Sequence, residues 1–265
     1  MTRMRRLGAA CYAILLAGLS GCAAPASTRA VEPALTAIGT ISGRGCPVVV
    51  LQSGLGDGQA VWQDLAPLIE PTHTVFRYDR PGRGQHPFTG APRDPCTIAA
   101  EQRALLQRAG LPPPYILVGH SLGGLYQFAY LRLYPDEVAA VVLIDPTHPD
   151  HWRSLQREHP DLALLMKGVR MTLFSQADRG EFDAQSLCLD QLPPPIGRVI
   201  PTTILASWQR RPEEQAMVPM LDRLRQDWLR LIPGTQLQTV VDAGHYIQRE
   251  RPMRVVEALR ALQRQ

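Results

Sequence analysis

Ser121 is the residue whose surroundings most directly suggest chemistry. It lies in Gly119-His120-Ser121-Leu122-Gly123-Gly124, which matches the pattern Gly-x-Ser-x-Gly. The apolar run Tyr115–Val118 precedes this pattern and a helical run begins at Leu122, so we expect a tight strand–turn–helix with the hydroxyl projecting from the strand end. A side chain at Gly119 or Gly123 would collide with neighbouring backbone in such a turn. The context therefore predicts a nucleophile rather than an inert glycine-rich turn.

A serine hydroxyl becomes a nucleophile when a base lies within hydrogen-bond reach and a carboxylate orients that base. Seven histidines are available. His245 lies between the last predicted strand and the last predicted helix, where a loop ends at the same sheet edge as Ser121. His120 lies inside the turn and is expected to point away from the nucleophile. We therefore predict His245 as the base, the alternative being a capping or surface histidine.

Asp145 is the predicted orienting carboxylate. It follows the apolar run Val138–Ile144, so it should lie at the carboxyl end of a buried strand, on the catalytic edge. The alternative role is a strand cap that turns the chain into Pro146. The loop after the run Thr202–Leu205 contains no Asp, and Glu213 and Glu214 there directly follow Pro212, as first-turn residues of a helix often do.

Two backbone amides should form the oxyanion hole. The turn itself supplies the amide of Leu122, at the start of the helix. The glycine-rich loop 53–58 should supply the other, from Leu55 or alternatively from Gly54. This loop does not fit a dinucleotide fingerprint, because Gln59 occupies the third glycine position.

Strand and helix patterns alternate along the chain, which predicts a parallel α/β sheet. Between Pro146 and Ile200 about 55 residues separate two strands, a length that exceeds an ordinary connection. We interpret this stretch as a small helical lid, the alternative being one crossover helix and a disordered loop. The predicted strands and helices are, in order, 47–51, 74–78, 97–109, 115–118, 122–134, 138–144, 202–205, 237–241 and 253–262.

The N-terminus has the pattern of an export signal. Met1–Arg6 is basic, and Leu7–Leu19 is apolar but too short for a permanent membrane span. Leu19-Ser20-Gly21-Cys22 resembles the bacterial lipoprotein cleavage site, in which Cys22 receives the lipid. We expect a signal peptide over residues 1–21, a lipidated tether over 22–34 and one domain over 35–265, anchored by lipid to the bacterial cell envelope. A plain secretory signal is the alternative.

Charge and cysteine usage limit the partners and cofactors. The net charge is +4, and residues 1–21 hold three Arg and no acid, so the remainder carries 4 − 3 = +1. Such a small excess of positive charge does not indicate a surface that binds nucleic acid. Cys46, Cys96 and Cys188 could form one disulfide after export, and the sequence does not choose the pair. Neither Cys-x-x-Cys nor His-Glu-x-x-His occurs, so the sequence gives no signal for a zinc site and we expect no metal.

In these motifs the chain resembles the α/β-hydrolase superfamily, from about residue 47 to 262. The resemblance implies a mostly parallel eight-stranded sheet with helices on both faces, a small helical lid, and the catalytic order Ser121, Asp145, His245. It also implies that no cofactor is required. We expect a serine esterase, and the Leu, Met and Phe residues of the lid suggest a small or medium apolar ester, the alternative being that they only pack the lid on the domain. Hydrolysis of an amide or a carbon–carbon bond would use the same residues. A function of a different class, that of a non-catalytic envelope lipoprotein that acts as a binding module, is the other alternative. The blocks that carry the resemblance are 51–56, 78–84, 119–124, 143–146 and 244–247.

Overall fold

The structure is a computed structural model that describes residues 38–194, 197–262 and 264, without the side chain of Glu213. The predicted signal peptide, Cys22 and the tether lie outside the described residues. The strands are β1 (Gly39–Gly43), β2 (Val48–Gln52), β3 (Thr74–Tyr78), β4 (Tyr115–His120), β5 (Val138–Ile144), β6 (Thr202–Ser207) and β7 (Gln236–Val240). The helices are α1 (Ala66–Ile69), α2 (Pro95–Arg108), α3 (Leu122–Leu133), α4 (His151–Glu158), α5 (Pro160–Leu173), α6 (Gln176–Ala184), α7 (Val218–Leu231), α8 (Ile247–Glu250) and α9 (Pro252–Leu262).

The strands form one sheet in the order β1-β3-β2-β4-β5-β6-β7. β1 pairs antiparallel with β3, and the other pairings are parallel, so the carboxyl ends of β2–β7 meet at one edge. The expected parallel α/β architecture is confirmed. The expectation of eight strands is wrong for the described residues, which form seven, because β1 is the edge strand and no earlier strand is described beside it.

Apolar side chains on both faces bury the central strands. All residues of β2 and β4 are buried, as continuous apolar runs predict for a sheet covered on both sides. One cluster joins the sheet to α2, α3 and α7 and includes Leu117 and Trp228. The other joins the opposite face to α1 and α9 and includes Trp62 and Leu259. These two layers hold the strand ends, and the loops they carry, in fixed positions.

The segment between β5 and β6 contains the helices α4, α5 and α6, where the sequence predicts a largely helical insertion. We call residues 146–200 the insertion. Trp152 of α4 and Phe182 of α6 are buried in a cluster that also includes Met220 and Leu224 of α7, so α4 and α6 are attached to the body of the domain. α5 contributes one buried residue, Ala163, to the same cluster.

A disulfide joins Cys96, in the first turn of α2, to Cys188, which follows α6. The two cysteines are 92 residues apart, so the bond links the body of the domain to the insertion. The disulfide therefore joins two of the three cysteines among which the sequence did not choose, and Cys46 is the third. Among the residues that the structure describes, no helix has the length and apolar character needed to cross a bilayer.

Candidate active site

Ser121 lies in the predicted turn between β4 and α3. Its backbone has a φ of 54° and a ψ of −123°, a conformation that residues with a side chain rarely adopt. The Ser121 amide donates to Ile144 O at 3.0 Å, and its carbonyl accepts from Gly124 N and Thr147 N, each at 2.9 Å. A Cβ built on Gly123 would lie 2.2 Å from Gln52 O, which explains why glycine occupies this position. The turn is therefore strained and held by its neighbours.

The structure brings His245 and Asp145 together across 100 positions of sequence. His245 Nδ1 lies 2.7 Å from Asp145 Oδ2, a hydrogen-bond distance. Asp145 follows β5 and His245 precedes α8, so both lie on the loops at the carboxyl edge of the sheet. Ser121 and His245 line the same cavities. A serine, a histidine and a carboxylate thus converge at this edge.

Four donors surround the Asp145 carboxylate. Besides His245 Nδ1, it accepts from the Ser207 amide at 3.0 Å, the Ser207 hydroxyl at 2.8 Å and Arg225 Nη2 at 3.0 Å. Burial alone would raise the pKa of Asp145, but the hydrogen bond from His245 and the charges of His245 and Arg225 hold it well below its usual value. The carboxylate therefore stays ionised, as an orienting acid requires.

Glu214, one of the two alternative acids, pairs with Arg211. The Glu214 carboxylate accepts from the Arg211 amide at 3.1 Å and from the Arg211 guanidinium at 2.6 and 3.0 Å. This is the structural role at a helix start that the sequence predicts for Glu214. The Glu213 side chain lies outside the described residues.

His120 packs beneath His245, with 4.6 Å between the ring centroids. Its Nε2 lies 2.9 Å from the His245 carbonyl oxygen. Burial, followed by the charge of His245, lowers the pKa of His120 to about 3. A neutral ring donates from Nε2, so His120 supports the backbone of His245 and is not placed to act as a base.

Arg80 orients the predicted oxyanion loop. Its Nη1 donates to Ser53 O at 2.6 Å and its Nη2 donates to Gly54 O at 2.8 Å. In a trans peptide the carbonyl and the following N–H point in opposite directions, so the amides of Gly54 and Leu55 point away from Arg80. Both residues line a cavity with Ser121 and Leu122. The sequence predicts Leu55 or Gly54 as the donor, and both remain compatible with this orientation.

Two cavities adjoin Ser121. The larger, of about 480 Å³, has seven apolar side chains in its walls beside charged ones that include Asp57, Asp178 and Arg211, and we call it the apolar cavity. The smaller, of about 130 Å³, has walls rich in charged side chains, and we call it the polar recess. The apolar side chains of the first are Leu55, Leu122, Trp152, Met166, Leu173, Phe174 and Phe182. The ionisable side chains of the second, apart from Asp145 and His245, are His148, His151, Arg210, Arg211, Glu214 and Arg225.

Sequence reasoning missed Arg225 and Ser207 as partners of Asp145. Ser207 ends β6, beside Asp145 at the end of β5, and a polar residue at a neighbouring strand end is the signal that could have indicated it. Arg225 lies on α7, a helix that the pattern search did not identify. Its approach to Asp145 depends on how α7 packs against the sheet, and no local sequence pattern predicts that packing.

Comparisons with known proteins agree with the fold. The sequence profile of the alpha/beta hydrolase fold family matches residues 47–179, which is half of the chain. An esterase from Thermogutta terrifontis superposes with a TM-score of 0.60 at 22% identity, covering 85% of this chain and 92% of that one. The enol-lactonase of Burkholderia xenovorans LB400 superposes with a TM-score of 0.63 at 17% identity, covering 86% and 96%.

Sequence relatives match a shorter part. RutD of Klebsiella pneumoniae (strain 342), named as a candidate carbamate hydrolase, is 36% identical over 103 residues, which is 38% of both chains. This chain spans less than half the length of the curated relatives that it matches.

Proposed function

Because the chain belongs to the α/β-hydrolase family and has its fold, we propose that it is a serine hydrolase that cleaves a carboxylic ester through Ser121. The observation that carries this proposal is the 2.7 Å contact between His245 Nδ1 and Asp145, formed beside a strained serine turn. A capping histidine or a strand-capping aspartate would have no reason to meet at this position.

The proposed reaction is an acyl transfer in two steps. His245 Nε2 takes the proton of the Ser121 hydroxyl as the oxygen attacks the ester carbonyl carbon, and then returns it to the departing alcohol. Water, deprotonated by the same nitrogen, attacks the acyl-enzyme and releases the acid and free Ser121. The amides of Leu122 and of Leu55 or Gly54 would stabilise the negative oxygen in both steps. Asp145 keeps the proton of His245 on Nδ1.

The apolar cavity supports an ester with an apolar acyl group. Its apolar side chains come from the loop at Leu55, from Leu122 and from the insertion, so an acyl chain bound there would contact hydrocarbon beside the polar groups of the same wall. We also propose that the protein is exported and held at the cell envelope by a lipid on Cys22, which rests on the cleavage-site pattern at residues 19–22.

A fluorophosphonate probe tests the proposed nucleophile, because it reacts covalently with activated serines. We expect the wild-type protein to be labelled and Ser121→Ala to be unlabelled, with turnover of a p-nitrophenyl ester reduced by several orders of magnitude. Ser186→Ala, at a serine between α6 and Cys188, is the control and should keep both the probe labelling and the turnover of the wild-type protein. An unlabelled wild-type protein would favour the non-catalytic binding module.

A further inference from the structure

One ring nitrogen of His120, Nδ1, faces Asp57. The other nitrogen, Nε2, lies 2.9 Å from the His245 carbonyl oxygen, which can only accept, so Nε2 carries a proton. Burial lowers the pKa of His120 to about 3, so near neutral pH the ring has a single proton and Nδ1 has a lone pair. Among the described residues, Nδ1 receives no hydrogen bond. A buried acceptor beside the proposed base therefore lacks a donor.

Asp57 Oδ2 lies 3.8 Å from this nitrogen. Both atoms have almost no solvent-accessible surface, and Oδ2 also lacks a hydrogen-bond donor within the part of the chain that the structure describes. An ionised carboxylate and a nitrogen lone pair would repel each other here, and a bridging water has no access to either atom. One proton on Oδ2 removes the conflict, because a carboxylic acid donates where a carboxylate only accepts.

From this arrangement we propose that Asp57 is a neutral carboxylic acid that donates to His120 Nδ1 and thereby positions His245. The hydrogen bonds would run from Asp57 through the ring of His120 to the His245 carbonyl oxygen. A bond of about 2.8 Å requires the two side chains to approach by about 1 Å, which a small rotation of the Asp57 side chain provides. The location of the proton does not depend on the proposed ester hydrolysis, whereas its effect on turnover rests on that function.

The surroundings of Asp57 favour its neutral form on balance. Burial raises the pKa of Asp57, although a hydrogen bond with Tyr246 and the charges of three neighbouring groups act in the opposite direction. Those charged groups are Arg80, Arg83 and His245. Both arginines have carboxylate partners on α6, which are Glu181 and Asp178. Neither cation therefore depends on Asp57 for a counter-charge.

A neutral Asp57 also suits the oxyanion loop. The Asp57 amide donates to Gly54 O at 3.3 Å, and a Cβ built on Gly54 would lie 3.4 Å from Asp57 Oδ2. The carboxyl group thus lies against a residue whose amide is a candidate oxyanion donor. A negative charge at this position would oppose the charge that develops on the substrate oxygen, whereas a neutral acid would not. Loss of the proton at alkaline pH should accordingly lower turnover.

Asp57→Asn tests the location of the proton, because an amide nitrogen donates to His120 Nδ1 without having to bind one. An acid that is protonated when folded and ionised when unfolded loses stability as the pH rises above its usual pKa of 3.8. We therefore expect Asp57→Asn to unfold at a higher urea concentration than the wild type at pH 7, with a difference that shrinks as the pH falls towards 4. Asp64→Asn, at an exposed acid, is the control and should match the wild type at each pH.

Asp57→Leu tests the hydrogen bond, because leucine fills the space but cannot donate. We expect a lower urea midpoint than for Asp57→Asn, and kcat for a p-nitrophenyl ester about tenfold lower, since His120 would hold the His245 backbone less firmly. The ratio of kcat for Asp57→Asn to that of the wild type should also rise with pH above neutrality, because the amide has no proton to lose.

The outcomes separate this inference from the proposed function. An Asp57→Asn midpoint below that of the wild type at pH 7, or a difference that does not change with pH, would mean that Asp57 is ionised and would overturn the inference while ester hydrolysis still stands. Equal midpoints for the Asn and Leu variants would overturn the hydrogen bond to His120, and a constant kcat ratio would overturn its role in turnover. If the fluorophosphonate probe does not label the wild type, the proposed function fails and the urea titrations still decide where the proton lies.

Discussion

Arg80 and Glu181 form an ion pair at 2.8 Å in which neither side chain has exposed surface. Arg80 belongs to the loop after β3 and also holds the carbonyls of Ser53 and Gly54, whereas Glu181 belongs to α6 of the insertion. Arg83 and Arg93 approach the same carboxylate at 3.5 and 3.9 Å. One buried carboxylate thus connects the insertion to the loop proposed to stabilise the oxyanion.

We predict that Glu181→Gln weakens both stability and catalysis. The substitution keeps the shape but leaves the Arg80 guanidinium buried without its counter-charge, which costs roughly 3–5 kcal/mol. Urea denaturation should show this loss, and kcat for a p-nitrophenyl ester should fall more than KM rises, because Arg80 would hold the oxyanion loop less firmly. Glu257→Gln, at an exposed ion pair on α9, is the control. Stability equal to that of the wild type would contradict the prediction.

Asp145→Asn should lower turnover by orders of magnitude while the protein stays folded. An amide at this position can donate to His245 Nδ1, which favours the wrong histidine tautomer. Steady-state kinetics with circular dichroism would measure both effects. Glu214→Gln should be mild, because Glu214 contacts Arg211 rather than His245. A nearly normal Asp145→Asn protein beside an inactive Glu214→Gln protein would transfer the acid role to the later loop.

The free energy of unfolding should fall as the pH falls from about 6.5 towards 4, in part because of His148. Burial lowers the pKa of His148 from 6.5 to about 4, against the opposing charge of Asp227. Between these values the unfolded chain binds a proton that the folded protein excludes, so the stability present above pH 6.5 is lost on acidification. Urea titrations at several pH values should show a flatter profile for His148→Gln. An unchanged profile would exclude His148 as a contributor.

Cys22→Ser should release the protein from membranes. A palmitate analogue supplied to the growing bacterium should label the wild-type protein, and the variant should lose the label and appear in the soluble fraction. Cys46→Ser, which lies in the folded domain, should keep the label. Labelling that persists in Cys22→Ser would refute the lipoprotein interpretation.

The sequence predicted β2, β4, β5 and β6 from continuous apolar runs, and β3 and β7 from more mixed segments. β3 and β5 match their predicted bounds, and β4 extends two residues further. β1 was missed because Gly39–Gly43 is a short edge strand with no fully buried residue. α7 was also missed, although Met220, Leu224 and Trp228 recur at four-residue spacing and are buried. That spacing was a usable signal.

For the site, sequence order predicted which loops carry the serine, the histidine and the aspartate, since the carboxyl ends of parallel strands share an edge. It did not predict the partners that come from packing. Arg225 reaches Asp145 from a helix 80 positions later, and Arg80 reaches Glu181 across 101 positions. Such contacts depend on how helices pack against the sheet, and no local sequence pattern indicates which distant residues will meet.

The link between Cys96 and Cys188 has a mechanical consequence. With the Arg80–Glu181 pair, it fastens α6 and the chain after it to the body of the domain, so this half of the insertion cannot swing outwards as a unit. α5 is held by non-covalent contacts: Arg170 pairs with Asp183 of α6 at 3.0 Å and Ala163 packs in the cluster around Trp152, whereas Leu165 and Leu173 are 61% and 76% exposed. The apolar cavity therefore has one wall, at Phe182 and Gln185, in the part of the insertion that the disulfide cross-links to the domain, and another, at Met166 and Leu173 of α5, that non-covalent contacts hold.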